Sequence, residues 1–247
     1  MRAFALLLAL STAAMAVVDY PDPAPAQWQT TAPWSMVGQL YFRSGDDDYL
    51  GSGTVIRPSS ILTAGHNVYD AENGWSTDLL FRRAAYGTQV AARARGTRLL
   101  VLGGYQGAAQ AHGANSLRSF ATDTAGVIFP ALLADGAVAP HVVSPAGLTS
   151  PFVAKRGLGY GAEGSHSGNY PLLLSPPTPF ARIWGAFYEC RSIYVEGGMS
   201  GGPLFVRGGG GQYAVAGVIV AGSKRPASGG IRALDQAAAT FIRDYLK

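Results

Sequence analysis

Short runs of β-branched and aromatic residues, separated by glycine, proline, aspartate and serine, recur along most of the sequence, for example at residues 37–42, 61–64, 191–195 and 213–221. Runs of this length bounded by turn residues are typical of β-strands. The 33 glycines suit the bulges and tight corners of barrels. The pattern therefore predicts an all-β fold, and the alanine-, proline- and glycine-rich residues 131–147 predict a linker between two halves.

Helical periodicity is confined to the C-terminal segment, residues 235–247. Four apolar side chains there recur at i, i+3, i+4 and i+7 and form one face: Ala238, Phe241, Ile242 and Tyr245. Asp235 stands where an N-cap is needed. We expect this helix to pack on the second half of the chain.

The N-terminus has the pattern of an export signal. Arg2 is followed by an apolar stretch, and Ala14-Met15-Ala16 fits the small-x-small cleavage pattern. The apolar stretch is too short for a good membrane span, although an uncleaved anchor is the alternative. Residues 1–16 therefore predict a signal peptide, with a secreted or periplasmic product. The prolines of residues 17–34 predict an extended arm or pro-segment.

Charge and composition argue against several kinds of partner. Only 14% of residues are charged and 48% are apolar, which indicates an ordered chain with a sizeable core. The net charge is +4, and the basic residues are scattered rather than gathered in a stripe. We therefore expect no nucleic-acid partner and no stable membrane insertion. Cys190 is the single cysteine, which excludes an intrachain disulfide and favours a buried, small apolar residue.

Motifs for metals and cofactors are also missing from the sequence. His112, His141 and His166 lack the spacing of metal ligands, and no phosphate loop or dinucleotide fingerprint occurs. The acidic run at residues 46–48 is open to two interpretations, a calcium loop or a solvated hairpin tip. Consecutive aspartates favour the hairpin tip, because calcium loops space their ligands. We expect no metal and no cofactor.

The stretch GGMSGGPLF surrounds Ser200 with four glycines and a proline. It predicts either a plain turn between strands or a sharp bend that presents the hydroxyl together with neighbouring N–H groups. His66 follows a predicted strand, and Asp123 opens another, where a buried acid needs a partner for its charge. The order His, Asp, Ser is one of the known arrangements of a nucleophilic triad.

Three sequence blocks, TAGH, D-x-A-x-V-I and G-x-SGGP, resemble the signature blocks of the chymotrypsin-like (trypsin-fold) serine proteases. ILTAGHNVYD, together with GIRAL before the final helix, resembles more narrowly the bacterial glutamyl-endopeptidase-like branch. The resemblance implies two packed six-stranded antiparallel β-barrels at residues 35–130 and 148–234, followed by the helix at 235–247. It implies a secreted, monomeric serine endopeptidase acting on proteins or peptides. The alternatives are a homologue that binds without turnover and a structural β-protein with coincidental motifs.

The resemblance also assigns roles to residues. His66 and Asp123 of the first barrel and Ser200 of the second form the implied catalytic triad, and the N–H groups of Gly198 and Ser200 form the implied oxyanion hole. The implied substrate pocket comprises Tyr194, Val195, Glu196, Ile219, Val220, Ala221 and Gly222.

Three residues near the triad depart from the family pattern. Asn67 stands where disulfide-bearing members carry cysteine. Met199 stands where trypsin-like enzymes place an aspartate that pairs with a newly cut N-terminus, so activation must follow another route. Val220 replaces a serine that often supports the triad aspartate, which predicts fewer hydrogen bonds to Asp123.

The predicted pocket also departs from the family's charged-specificity branches. No aspartate lies near Tyr194, as a trypsin-like pocket needs. Val195 and Ile219 replace the threonine and histidine of the glutamate-specific branch. Burying a charged group against these side chains without a partner is costly, so an apolar or small substrate residue is expected. The alternative is that Glu196 accepts a basic residue.

Overall fold

The computed structural model of the chain describes residues 21–136, 145–163, 171–174, 179–208, 210–224 and 226–246. The predicted signal peptide at residues 1–16, the first residues of the predicted arm, residues 137–144 of the predicted linker, and His141 and His166 lie outside the described residues. No helix within the described ranges has the length and apolar character needed to cross a membrane.

The strands, numbered along the chain, are β1 (Asp22–Pro23), β2 (Val37–Ser44), β3 (Asp47–Arg57), β4 (Ser60–Thr63), β5 (Tyr69–Asp70), β6 (Gly74–Trp75), β7 (Thr77–Arg83), β8 (Ala92–Arg95), β9 (Arg98–Val101), β10 (Ala125–Ile128), β11 (Lys155–Tyr160), β12 (Pro171–Leu174), β13 (Ala181–Trp184), β14 (Phe187–Cys190), β15 (Pro203–Arg207), β16 (Tyr213–Lys224) and β17 (Ala227–Ala233). The α-helices are α1 (Tyr105–His112), α2 (Leu117–Phe120), α3 (Pro145–Thr149) and α4 (Gln236–Tyr245).

The first sheet is antiparallel and has the strand order β8-β7-β2-β3-β4-β10-β9. Leu40, Val55, Ile61, Phe81 and Val127 are each at most 1% exposed and form its core. β2 and β3 form a long hairpin that places the acidic run of residues 46–48 at its tip, as predicted. Arg43 pairs there with Asp48 at 3.0 Å.

The second sheet is also antiparallel, in the order β1-β12-β11-β15-β16-β17-β14-β13. Cys190 is buried in its core, as predicted. The predicted strand at residues 191–195 is wrong, because this segment holds only a turn and an isolated bridge. Ile193 and Val195 pack instead against Gly229 of β17, whose pairing edge is already occupied by β14.

A shared apolar cluster joins the two sheets. Leu62 and Ala64 at the end of the first sheet meet Leu158, Phe205 and Val218 of the second, all at most 1% exposed. Burial of these side chains holds the two sheets together and thereby sets the relative position of the loops at their ends.

The C-terminal helix α4 begins after Asp235, whose carboxylate accepts the Ala238 N–H at 3.0 Å as an N-cap. Phe241 and Ile242 are buried, as predicted, but Tyr245 is 54% exposed. Leu246 leaves the helix and is fully buried against Gly126 of β10. The helix therefore packs in the apolar cluster shared by both sheets and reaches the first sheet as well as the second; Leu246, rather than Tyr245, fills the apolar site.

The antiparallel sheets and C-terminal helix confirm the predicted all-β class. Among the described residues, the sheets contain seven and eight strands rather than six each. Short strands on the outer edges, such as β1 of two residues and β8 of four, lengthen both sheets beyond the prediction.

Candidate active site

A cleft of about 440 Å³ lies between the two sheets. The β2–β3 hairpin and the turn after β4 line one side, and the segment before β15 and the outer part of β16 line the other. Of the predicted site residues, the cleft brings together His66, Val195, Glu196, Gly198, Ser200, Val220, Ala221 and Gly222.

His66 and Asp123 are joined because their strands are neighbours. His66 lies in a 3-10 turn directly after β4, and Asp123 lies two residues before β10, which pairs with β4. The Asp123 carboxylate is fully buried and accepts two hydrogen bonds, from His66 Nδ1 at 2.7 Å and from the His66 backbone N–H at 3.0 Å. A carboxylate only accepts, so the Nδ1 proton is assigned to this bond and Nε2 keeps its lone pair.

Asp123 also changes the pKa of the His66 imidazole. Burial lowers the pKa of His66, but the negative charge of Asp123 and the hydrogen bond to it together raise that pKa above its ordinary value of 6.5. The His66 side chain remains 29% exposed, on the cleft side. The buried charge of Asp123 therefore has the partner that the sequence required.

Ser200 lies in a turn at residues 197–201, called here the serine turn, whose backbone conformation depends on glycine. Gly198 and Gly201 on either side have φ values of +92° and +89°, a region that side chains disfavour. A Cβ at Gly201 would overlap Ser52 O and Thr63 Oγ1 of the first sheet. The glycines therefore let the serine turn pack directly against the opposite sheet while Ser200 lines the cleft.

The orientation of the N–H groups in this turn follows from peptide planarity, which directs the C=O and N–H of one peptide unit in opposite directions. The Gly197 carbonyl accepts the Ala162 N–H at 2.7 Å, so the Gly198 N–H points away from Ala162. The Met199 carbonyl accepts the Gly202 N–H at 3.0 Å, which orients the Ser200 N–H in the same way. Both N–H groups belong to residues that line the cleft.

Asn67 links the two sheets at the serine turn. Its side-chain amide donates to the Ser200 carbonyl at 2.9 Å and to Thr63 Oγ1 at 3.0 Å. A Cβ on Gly51 would lie 2.6 Å from Asn67 Nδ2, so the glycine leaves room for the amide. Asn67 thus connects the two sheets by hydrogen bonds, at the position where disulfide-bearing members of the similar family carry a cysteine.

The predicted pocket residues divide into two groups. Val220, Ala221 and Gly222 face the cleft, together with Val195 and the half-buried Glu196. Ile219 is buried in the second-sheet core. Tyr194 is 5% exposed and lies behind the cleft wall.

Glu163 bonds to Tyr194 and Gly197, which lie at and behind the cleft wall. Its carboxylate accepts the Tyr194 hydroxyl proton at 2.7 Å and the Gly197 N–H at 3.3 Å. A carboxylate therefore contacts the serine turn, although Met199 offers none and is fully buried. Sequence reasoning missed Glu163, because it lies in an irregular glycine-rich segment without a motif.

Arg232 of β17 is a buried cation beside the segment that carries Asp123. It donates to the carbonyls of Ala233 at 2.6 Å and Ala121 at 3.3 Å, and to Asp235 at 2.9 Å. Burial lowers the pKa of its guanidinium, while Asp235 and, more weakly, Asp123 raise it. Arg232 thus ties the second sheet to the segment that carries Asp123. In the sequence, Arg232 was noted only as part of the GIRAL segment.

Within the described ranges, no cluster of three or more His, Cys, Asp or Glu side chains is arranged to hold a metal ion.

Solved structures are the known proteins that this chain resembles. No protein-family model matches the sequence, and no curated relative was found. Among solved structures, the chain is similar to a thermostable serine protease, AL20, from an extremophilic microorganism, with 16% identity, coverage of 87% of this chain and 96% of that one, and a TM-score of 0.68.

Two further structures extend the comparison. The protease Anisep from Arthrobacter nicotinovorans is 18% identical over 84% of this chain and 94% of its own, with a TM-score of 0.66. A Glu endopeptidase in complex with MPD is 19% identical over 91% of this chain and 95% of its own, with a TM-score of 0.69. At this identity the similarity establishes architecture, and the chain has the fold of the chymotrypsin-like serine proteases.

Proposed function

We propose that the chain is a serine endopeptidase that hydrolyses peptide bonds through an acyl-enzyme. Ser200 is the nucleophile, His66 the general base and Asp123 the group that orients the imidazole. The observation that carries the proposal is that His66 bonds to a fully buried Asp123 at 2.7 Å and shares a cleft with Ser200. A buried acid–imidazole pair at the mouth of a cleft is the arrangement that activates a hydroxyl.

The chemical steps follow from the proton positions. With Nδ1–H held by Asp123, Nε2 takes the proton of Ser200 as its oxygen attacks the substrate carbonyl. The resulting imidazolium is stabilised by the Asp123 charge and then protonates the leaving amine. Water then gives a proton to Nε2 as its oxygen attacks the acyl-enzyme, and the imidazolium passes that proton to Ser200 Oγ as the carboxylic acid leaves.

The negative charge that develops on the carbonyl oxygen needs donors that are already in place. The N–H groups of Gly198 and Ser200 are the proposed donors, since hydrogen bonds to Gly197 O and Met199 O hold their peptide units in one orientation. Donors fixed in this way cost no reorganisation during the reaction.

Substrate preference is proposed from the cleft lining. Val195, Val220, Ala221 and Gly222 offer an apolar surface, so we expect cleavage after an apolar or small residue. The competing possibility is a basic residue paired with Glu196. Cleavage of a peptide library followed by sequencing of the products tests the choice; dominant cuts after Arg or Glu would defeat the apolar preference.

Active-site labelling tests the proposed mechanism. A fluorophosphonate should label the wild-type chain at Ser200 and should not label Ser200→Ala. Ser76→Ala is the matched control, because Ser76 is buried away from the cleft and should leave labelling intact. Labelling without casein hydrolysis would indicate a module that binds without turnover, and a folded chain that is not labelled would refute the proposal.

Export as a monomer completes the proposal. The apolar N-terminal residues and the Ala14-Met15-Ala16 pattern support removal of residues 1–16 by a signal peptidase. Residues 35–130 and 148–234 are proposed as the two barrels of the mature chain. Sequencing the N-terminus of the exported product, with its mass in solution, tests both points; a retained Met1 would contradict the cleavage.

A further inference from the structure

Ser52 belongs to β3 of the first sheet, yet its hydroxyl bonds to two segments of the second sheet. The side chain is fully buried. Its Oγ donates to the Gly198 carbonyl at 2.8 Å and accepts the Tyr160 N–H at 2.8 Å. These partners are 146 and 108 residues away along the chain. One hydroxyl therefore fixes one point on β11 and one on the serine turn.

The two segments that Ser52 holds are the same two that orient the Gly198 N–H. That orientation depends on the bond from the Ala162 N–H to the Gly197 carbonyl. Tyr160 lies two residues before Ala162, and Gly198 follows Gly197 directly. Ser52 thus anchors the chain on each side of the orienting hydrogen bond.

We propose that Ser52 is a positioning residue for the oxyanion hole, an inference that rests on the proposed serine endopeptidase function. The Gly197-Gly198 pair has little conformational preference of its own, so its peptide unit needs external restraints to keep one orientation. Transition-state stabilisation depends on N–H donors that are held before the reaction begins. Ser52 supplies such a restraint from the opposite sheet.

The same strand provides a matched control. Thr54 lies two residues from Ser52 and is 1% exposed. Its hydroxyl has no hydrogen-bond partner among the described residues. Thr54→Val therefore removes a buried hydroxyl from β3 without removing a bond to the serine turn, whereas Ser52→Ala removes one bond to the serine turn and one to β11.

The experiment compares the two variants with wild type by kinetics normalised to fluorophosphonate titration of Ser200. We expect Ser52→Ala to lower kcat by about 10- to 100-fold, less than the full loss of an oxyanion donor, with KM changed by less than about 3-fold. Affinity for a peptide boronate, which mimics the tetrahedral state, should fall in parallel with kcat/KM. The acid limb of the pH profile should not move, since the pair of His66 and Asp123 is untouched. Thr54→Val should stay within about 2-fold of wild type in every measurement.

The outcomes separate the two proposals. If the wild type is labelled but Ser52→Ala keeps its kcat and boronate affinity, the positioning role alone is overturned. The same holds if Thr54→Val loses as much kcat as Ser52→Ala. A folded wild type that is not labelled at Ser200 would overturn the endopeptidase function and the positioning role with it. If Ser52→Ala does not fold, Ser52→Cys keeps the volume with a weaker donor, and its kcat should be intermediate; a wild-type kcat there would contradict the role.

Discussion

The side-chain amide of Asn67 donates a hydrogen bond to the backbone carbonyl of Ser200 over 2.9 Å. The residue next to the proposed base thus holds the backbone of the proposed nucleophile, across the boundary between the two sheets. The same carbonyl also accepts the Ser52 N–H at 2.7 Å. Two donors from the first sheet therefore fix the turn of the second.

Asn67→Ala should lower both stability and activity. Asn67 is 2% exposed, and its loss removes the amide donor to Thr63 Oγ1 and one of the two donors to the Ser200 carbonyl. We expect the free energy of unfolding to fall by about 2–3 kcal/mol and kcat to fall as well. Urea denaturation measures the first quantity. Asn73→Ala on the exposed surface is the control, with a change under about 0.5 kcal/mol; equal stability of the two variants would contradict the role of Asn67.

The pH dependence of activity should reflect the raised pKa of His66. Only the neutral imidazole accepts the serine proton, so kcat/KM should rise with pH through a midpoint above 6.5. Asp123→Asn removes the charge that raises the pKa and reverses the tautomer preference, so activity should fall by about 10⁴-fold. A wild-type midpoint below 6.5 would be incompatible with the geometry.

The same pair should make stability depend on pH. The native pKa of His66 is raised, so the native state binds its proton more tightly than the unfolded chain does. The stabilisation from this proton is fully present below pH 6.5 and is lost as pH rises through the native pKa. Unfolding free energies of wild type and His66→Gln, measured at acid and alkaline pH, should therefore differ most at acid pH. A difference that does not change with pH would argue against the linkage.

Gly198→Ala should disable the proposed oxyanion hole. A Cβ there would lie 2.5 Å from Tyr160 O and 2.8 Å from Ala162 N, at a φ of +92°. The turn must move, and we expect kcat to fall by about 10²–10³-fold, as for loss of one donor. Gly197→Ala is the control: the nearest atom to its Cβ is Glu163 Oε1 at 3.3 Å, so the effect should be far smaller. Similar losses in both variants would weaken the assignment of Gly198.

Arg232→Met should loosen the connection between β17 and the Asp123 segment. The carbonyls of Ala121 and Ala233 lose their guanidinium donors, which should cost about 2–4 kcal/mol of unfolding free energy and lower kcat. Arg243→Met is the control, because Arg243 is exposed and pairs with its neighbour Asp244; its change should stay under about 0.5 kcal/mol. Chemical denaturation checks both variants, and an unchanged stability of Arg232→Met would refute the connection.

Several strands were predictable because their residues carry the pattern locally. β2, β4, β10 and β16 coincide with runs of β-branched and aromatic residues bounded by turns. β11 escaped prediction, because Lys155–Tyr160 alternates glycine with larger residues and resembles a loop. The 191–195 segment has strand-like residues but no free sheet edge beside it. That segment does not form a strand, because β14 already occupies the edge of β17 beside it.

The sequence by itself determined the all-β class, the start of the final helix at Asp235, and the residue types around His66, Asp123 and Ser200, because periodicity, caps and glycine-rich turns act over a few residues. The tertiary structure alone decided that Ser52, Asn67 and Glu163 contact the serine turn, and that Tyr194 and Ile219 lie behind the cleft wall. Those contacts join residues far apart in the chain, and only the packing of one sheet against the other selects which of many possible partners meet.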